Sequence, residues 1–200
     1  MNPLKSITGT LVSGFILALV IAFLLKGETA GNPIEWTVWF HVVFGITWIG
    51  LLYYFNFVQV PAVANALADK EPGPAAINKY VAPKALLWFR WSAVATWVTG
   101  AAALAKMGIL ADAFTFEGFT FAGSTSVIGM GAWLGTIMLL NVWGIIWPNQ
   151  KKILGLDGKQ HSPEEIASAK FTALMASRTN TLLSIPMLLG MTAYGHGLPF

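Results

Sequence analysis

Trp36 to Gln59 reads WTVWFHVVFGITWIGLLYYFNFVQ. A transmembrane helix needs about 20 consecutive, predominantly apolar residues, and this stretch supplies them. It nevertheless carries a histidine, His41, about one and a half helical turns inside its start. An ionisable group within a span is costly and by default marks a functional site. Imidazole is a common ligand of haem iron and other transition metals. Gly45 follows at i+4, on the same helical face, and leaves room beside the ring for something large and flat. The competing reading is an interfacial histidine bonded to a headgroup or a backbone carbonyl. This stretch alone leaves both open.

The rest of the chain has the same character. Of its 200 residues 56% are hydrophobic and only 10% charged, the composition of an integral membrane protein, and one membrane domain spanning 1–200 is the simplest organisation. There is no cysteine, which excludes disulfides, thiolate-held iron–sulfur clusters and a covalently attached c-type haem. Paired intramembrane carboxylates, a nucleophile–base pair, a phosphate-binding loop and a basic nucleic-acid surface are all missing, so no substrate site is legible.

The apolar pattern predicts an all-α bundle of five transmembrane helices over about 7–25, 36–60, 85–107, 126–147 and 181–197. The first is read as a span and not a signal peptide, because no small-x-small cleavage site follows it. Pro148 is expected to end the fourth. Gly131 and Gly135 form a G-x-x-x-G packing motif there, and Asn141 should bond to another helix. Arg90 reads as a snorkelling anchor. Phe114-Thr-Phe-Glu-Gly-Phe-Thr-Phe121 is nearly symmetric about Glu117-Gly118. It predicts a short outer hairpin in which Phe116 faces Phe119 and Phe114 faces Phe121. Ser162-Pro163-Glu164-Glu165 is a capping box and predicts a cytoplasmic helix from Pro163 to about Arg178, separate from the last span. His161, beside it in a polar loop, is not expected to be a ligand.

Charge sets the expected orientation. With five spans, Lys5, Lys70, Lys79, Lys84, Arg90, Lys151, Lys152, Lys159, Lys170 and Arg178 fall on one side, and only Lys26 and Lys106 on the other. Positive charge accumulates on the cytoplasmic side, so the N-terminus is expected inside and the C-terminus outside. His41 and His196 then lie at similar depth in the outer half of the membrane. As a pair they are candidate axial ligands of one b-type haem between the second and fifth spans, with Gly45 making room.

Several segments also resemble a known family. Trp39-Phe40-His41 with Gly45, Trp48-Ile49-Gly50 and Tyr53-Tyr54-Phe55 is similar to the membrane module of the bacterial PuuD-type urate hydroxylases. So are Pro83-Lys-Ala-Leu-Leu-Trp-Phe-Arg-Trp91 with Thr96-Trp97 and Gly100, Asn141-Val-Trp143, Ile146-Trp-Pro-Asn-Gln-Lys151 and Ser177-Arg-Thr-Asn180 with Ile185-Pro-Met187 and His196. The resemblance extends over most of the chain from Trp36 onward. The pattern His41-x-x-x-Gly45-x-x-Trp48 is also similar, more weakly, to bacterial membrane protoporphyrinogen oxidases. In the urate hydroxylases a cytochrome c domain follows the membrane module, and a cysteine-free chain ending at Phe200 is expected to lack it.

The expectation is therefore a b-type haem protein of the bacterial cytoplasmic membrane that transfers electrons. It would act as a urate-hydroxylase-like oxidoreductase or as an electron-transfer subunit, with lipid, other membrane proteins or a separate cytochrome c as partners. The alternative is a cofactor-free accessory or assembly subunit of a larger respiratory-type membrane complex.

Overall fold

A computed structural model describes residues 2–26, 31–121 and 123–199. All of its regular elements are helical, with no strand among the described residues. The chain divides into two compact units, Met1–Pro33 and Ile34–Phe200.

In the first unit a short 3₁₀ turn, Pro3–Lys5, leads into helix α1, Ile7–Leu25. Ser6 caps α1, its Oγ accepting from the Gly9 N–H at 3.0 Å. No residue of α1 is buried, and its apolar sequence is long enough to cross a bilayer.

The second unit begins with α2, Pro33–Tyr54, which continues through a π turn at Phe55–Gln59 into α3, Val60–Asp69. A π turn at Ile77–Val81 leads into α4, Ala82–Lys106, and α5 follows at Leu110–Phe119. Helix α6, Gly123–Asn141, runs through a third π turn, Val142–Ile146, into α7, Trp147–Ile153. The last helix, α8, is Pro163–His196.

Three helical stretches are long and apolar enough to cross a membrane: Ile7–Leu25, Pro33–Asp69 and Gly123–Ile153. A fourth qualifies if α4 with its π turn and α5, bent by 76° at their junction, are taken together. Helix α8 does not qualify on composition. Its polar residues turn inward instead: Asn180 and Ser184 are fully buried.

Four expectations need correction. Helix α6 does not stop at Pro148. The π turn before the proline widens the helix, so the ring does not strike the carbonyl a turn earlier, and the helix runs on to Ile153. The Phe114–Phe121 stretch is not a hairpin. Phe116, Glu117 and Gly118 have φ of 51°, 53° and 70°, a left-handed turn at the end of α5. Phe116 stacks on Phe121 at 4.9 Å, and Phe114 packs edge-on against Trp133 at 5.4 Å. A two-residue segment ending in Gly serves a left-handed helix end as readily as a hairpin, and local pattern cannot separate the two.

The helix expected at Pro163 to Arg178 is not separate from the expected last span either. The capping box forms, with Glu165 N–H to Ser162 Oγ at 3.2 Å and Ser162 N–H to Glu165 Oε2 at 2.9 Å. Nothing then breaks the helix at Arg178, and α8 continues for 34 residues. Only half of the G-x-x-x-G motif packs. A Cβ on Gly190 of α8 would stand 2.9 Å from the Gly131 nitrogen, so α6 and α8 touch there, whereas Gly135 has nothing within 4 Å.

Buried polar bonds tie α8 to its neighbours. Asn141 Nδ2 donates to the Ala176 carbonyl at 2.8 Å and to Asn180 Oδ1 at 2.7 Å, the cross-helix bond its place in a span predicts. Asn180 Nδ2 donates to the Met138 carbonyl at 3.1 Å. Asn56 Nδ2 donates to Ser177 Oγ at 2.8 Å, and the Tyr53 hydroxyl lies 3.0 Å from Ser184 Oγ. Arg90 stacks its guanidinium 3.9 Å from the Trp147 ring centre, a cation–π contact at the place of the expected anchor.

Candidate functional site

The core of the second unit has two parts. Trp48, Leu52, Phe89, Met138 and Val142 belong to the larger; Leu104, Ala113, Ile128 and Ala132 form the smaller. Between them lies a cavity of about 620 Å³, walled by residues of α2, α4, α5, α6 and α8. It opens where small residues meet: Gly45, Gly100 and Gly135 all border it. A Cβ on Gly45 would meet only Thr96 Cγ2, at 3.7 Å. The volume falls within the range of ordinary ligand and cofactor sites, and the lining is predominantly apolar, as in most of them.

His41 is on this wall. Its Nδ1 lies 2.8 Å from the Thr96 carbonyl oxygen of α4. A carbonyl only accepts, so Nδ1 carries the proton and donates. In the neutral ring the lone pair is then on Nε2, which has no hydrogen-bond partner among the described residues. Metal-binding histidines are commonly oriented in this way, one nitrogen tied to a carbonyl and the other left for the metal. The bond to a backbone carbonyl that competed as an explanation of His41 is thus present, and it leaves the second nitrogen unused.

Gly100 makes the arrangement possible. A Cβ there would stand 2.8 Å from His41 Cε1 and 2.9 Å from Nδ1. The ring therefore lies directly against the α4 backbone, one turn past the carbonyl it bonds. Lys106, at the end of α4, donates to Thr37 Oγ1 at 2.8 Å and ties the same end of α4 to α2. Trp48 adds a further feature to the wall. It is 2% exposed, and its indole N–H has no partner among the described residues.

The structure brings two of the predicted site residues, His41 and Gly45, to one cavity. It does not bring His196 there. His196 is the last residue of α8, is exposed, and is not part of the lining. The α8 wall instead includes Met187, Met191 and Tyr194. Sequence reasoning missed Thr96, Gly100 and Tyr194 as site residues. In the sequence Gly100 opens a run of small residues, Gly100-Ala-Ala-Ala103, which suits close helix contact and does not by itself mark a site.

His161 is engaged elsewhere, with Nε2 2.7 Å from Asp157 Oδ2 and Nδ1 3.5 Å from Glu165 Oε2. The hydrogen bond to His161 holds the Asp157 carboxyl below its usual range. Glu165 is lowered too, first by the Ser162 backbone N–H of the capping box. No group of three or more metal-binding side chains occurs among the described residues. One or two protein ligands to a prosthetic group would not form such a group.

No curated protein and no solved structure matches the chain. Residues 103–199, from the end of α4 through α8, match the family model described as urate oxidase N-terminal, in keeping with the membrane module of the PuuD-type urate hydroxylases.

Proposed function

We propose that the chain is a urate-hydroxylase-related membrane module that binds one b-type haem and passes electrons, with His41 as an iron ligand. The observation that carries this reading is the His41 ring itself. The Thr96 carbonyl fixes its tautomer, Gly100 gives it a seat, and Nε2 is left unpaired on an apolar cavity of about 620 Å³. Haem supplies one-electron chemistry when bound. The protein's share is to hold and orient the imidazole and to keep water out with the surrounding aliphatic and aromatic walls. The family match covers the α5, α6 and α8 walls but not His41, Thr96 or Gly100, so it supports the class of protein and not the ligand. His196 would have to descend from beyond the lining to reach the same group.

The proposal includes five spans, with α8 as the fifth, an N-terminus inside and a C-terminus outside a bacterial cytoplasmic membrane. A separate cytochrome c is the proposed electron acceptor. The reduced-minus-oxidised absorption spectrum of the protein purified in detergent tests the haem assignment. A b-type spectrum is expected. His41→Ala should abolish it, and His161→Ala should leave it unchanged. Unchanged haem content in His41→Ala would overturn the assignment.

A further inference from the structure

Two bonds set the register between α2 and α8. Tyr53 pairs with Ser184 and Asn56 with Ser177, so the helices run antiparallel there. From Tyr53 back to His41, α2 climbs about 18 Å at 1.5 Å per residue. The same climb along α8 from Ser184 ends at His196, and the corresponding climb from Ser177 ends at Thr192. Depth alone therefore admits Thr192 to His196 as the α8 residues level with His41.

Direction separates them. Met187, Met191 and Tyr194, at i, i+4 and i+7, form one stripe of α8 that faces the cavity. Leu188 and Thr192 form a second stripe, at the more exposed edge of the wall. His196 continues that second stripe one turn past the lining. On the inner stripe Met187 is buried in the larger core, and Met191 packs against α6: a Cβ on Gly131 would stand 3.2 Å from its Cε. Tyr194 is the polar member. Its ring packs, with Phe114, on the smaller core of Leu104, Ala113, Ile128 and Ala132. Its hydroxyl has no hydrogen-bond partner among the described residues. The residue is half-buried and its hydroxyl is not closed off inside the protein, so the O–H is available to a group bound in the cavity.

We propose that Tyr194, and not His196, is the α8 residue that contacts the group bound at His41, its hydroxyl donating a hydrogen bond into the cavity. This rests on the haem reading above. Its consequence is that the bound iron has one imidazole from the protein, not two.

The test is hemin titration of the purified protein in detergent, followed by the absorption spectrum, with thermal unfolding measured in parallel. Tyr194→Phe should weaken hemin binding about five- to tenfold, the loss of one hydrogen bond, and shift the Soret band. His196→Ala should leave both within about twofold, against the same hydrogen-bond scale. Tyr194→His supplies a check that does not depend on loss. It places an imidazole on the inner stripe and should produce a low-spin, bis-imidazole spectrum that the parent lacks. A bis-imidazole spectrum in the parent that His196→Ala destroys would overturn the inference in favour of the histidine pair. Tyr194→Phe and Tyr194→His that both match the parent would overturn it as well. Hemin binding that survives His41→Ala would defeat the haem reading itself, and that result is distinct from the other two.

Discussion

Gly100 faces the His41 ring so closely that a Cβ would come within 2.8 Å of Cε1. That ring is already bonded to the Thr96 carbonyl one turn earlier, so it cannot swing aside without losing the bond. Gly100→Ala is therefore expected to cost about 1–3 kcal/mol of stability by overpacking. It should also reduce haem content by displacing the ring. Gly45→Ala borders the same cavity but meets only a protein methyl at 3.7 Å, an ordinary contact, and should leave stability near the parent value. Thermal unfolding and the haem spectrum of the two variants check this; equal effects would remove Gly100 as the seat. His41 and Gly45 were legible in the sequence because a titratable group inside a span stands out against its neighbours. Thr96 and Gly100 were not, because their roles are set by a contact between residues 55 positions apart. The α2–α8 bonds put His196 roughly level with His41, but its position around the helix was not legible in the sequence.

At the scale of elements, the π turns share a pattern. They end at Gln59, Val81 and Ile146, and Pro61, Pro83 and Pro148 each follow two residues later. A proline inside an α-helix lacks the N–H its place requires and strikes the carbonyl a turn earlier. A π turn accommodates one extra residue and relieves that clash while the helix continues. This is why Pro148, a stop signal on local rules, did not end α6: Val142 and Ile146 are buried in the larger core and hold the chain in line. The long apolar helices and the Ser162 cap were legible because their signals are local. The continuations past Pro148 and Arg178 were not, because packing decides them. If each π turn is an accommodation of its proline, the two should be removable together. Deleting Gly144, whose missing side chain faces open space, should lower the unfolding temperature while Pro148 is present. Combining the deletion with Pro148→Ala should restore most of it, because the segment can then close as an α-helix with its downstream faces in register. A combined variant no better than the deletion alone would show that the π turn has another cause.

For the whole molecule, the distribution of charge points to one topology. Ten of the twelve Lys and Arg residues lie on one side under five spans. Within the second unit, α2 runs antiparallel to both α4 and α8. The Lys106–Thr37 contact joins the end of α4 to the start of α2, and the Asn56–Ser177 bond joins the opposite end of that helical stretch to the middle of α8. Polybasic ends stay in the cytoplasm because translocating Lys and Arg is unfavourable. Helix α8 is the proposed fifth span, and composition alone does not identify it, since its inward Asn180 and Ser184 dilute the apolar signal although both are buried in protein. At 34 residues it is about 51 Å long, enough to cross a hydrocarbon core of about 30 Å and extend beyond it. The chain has no cysteine, so a single introduced thiol reports one position without background. Gln160→Cys, in the loop before α8, should resist a membrane-impermeant maleimide in spheroplasts and react after permeabilisation. Leu198→Cys, just past the end of α8, should react in both. The reverse pattern would invert the orientation, and labelling of both positions from outside would mean that α8 does not cross.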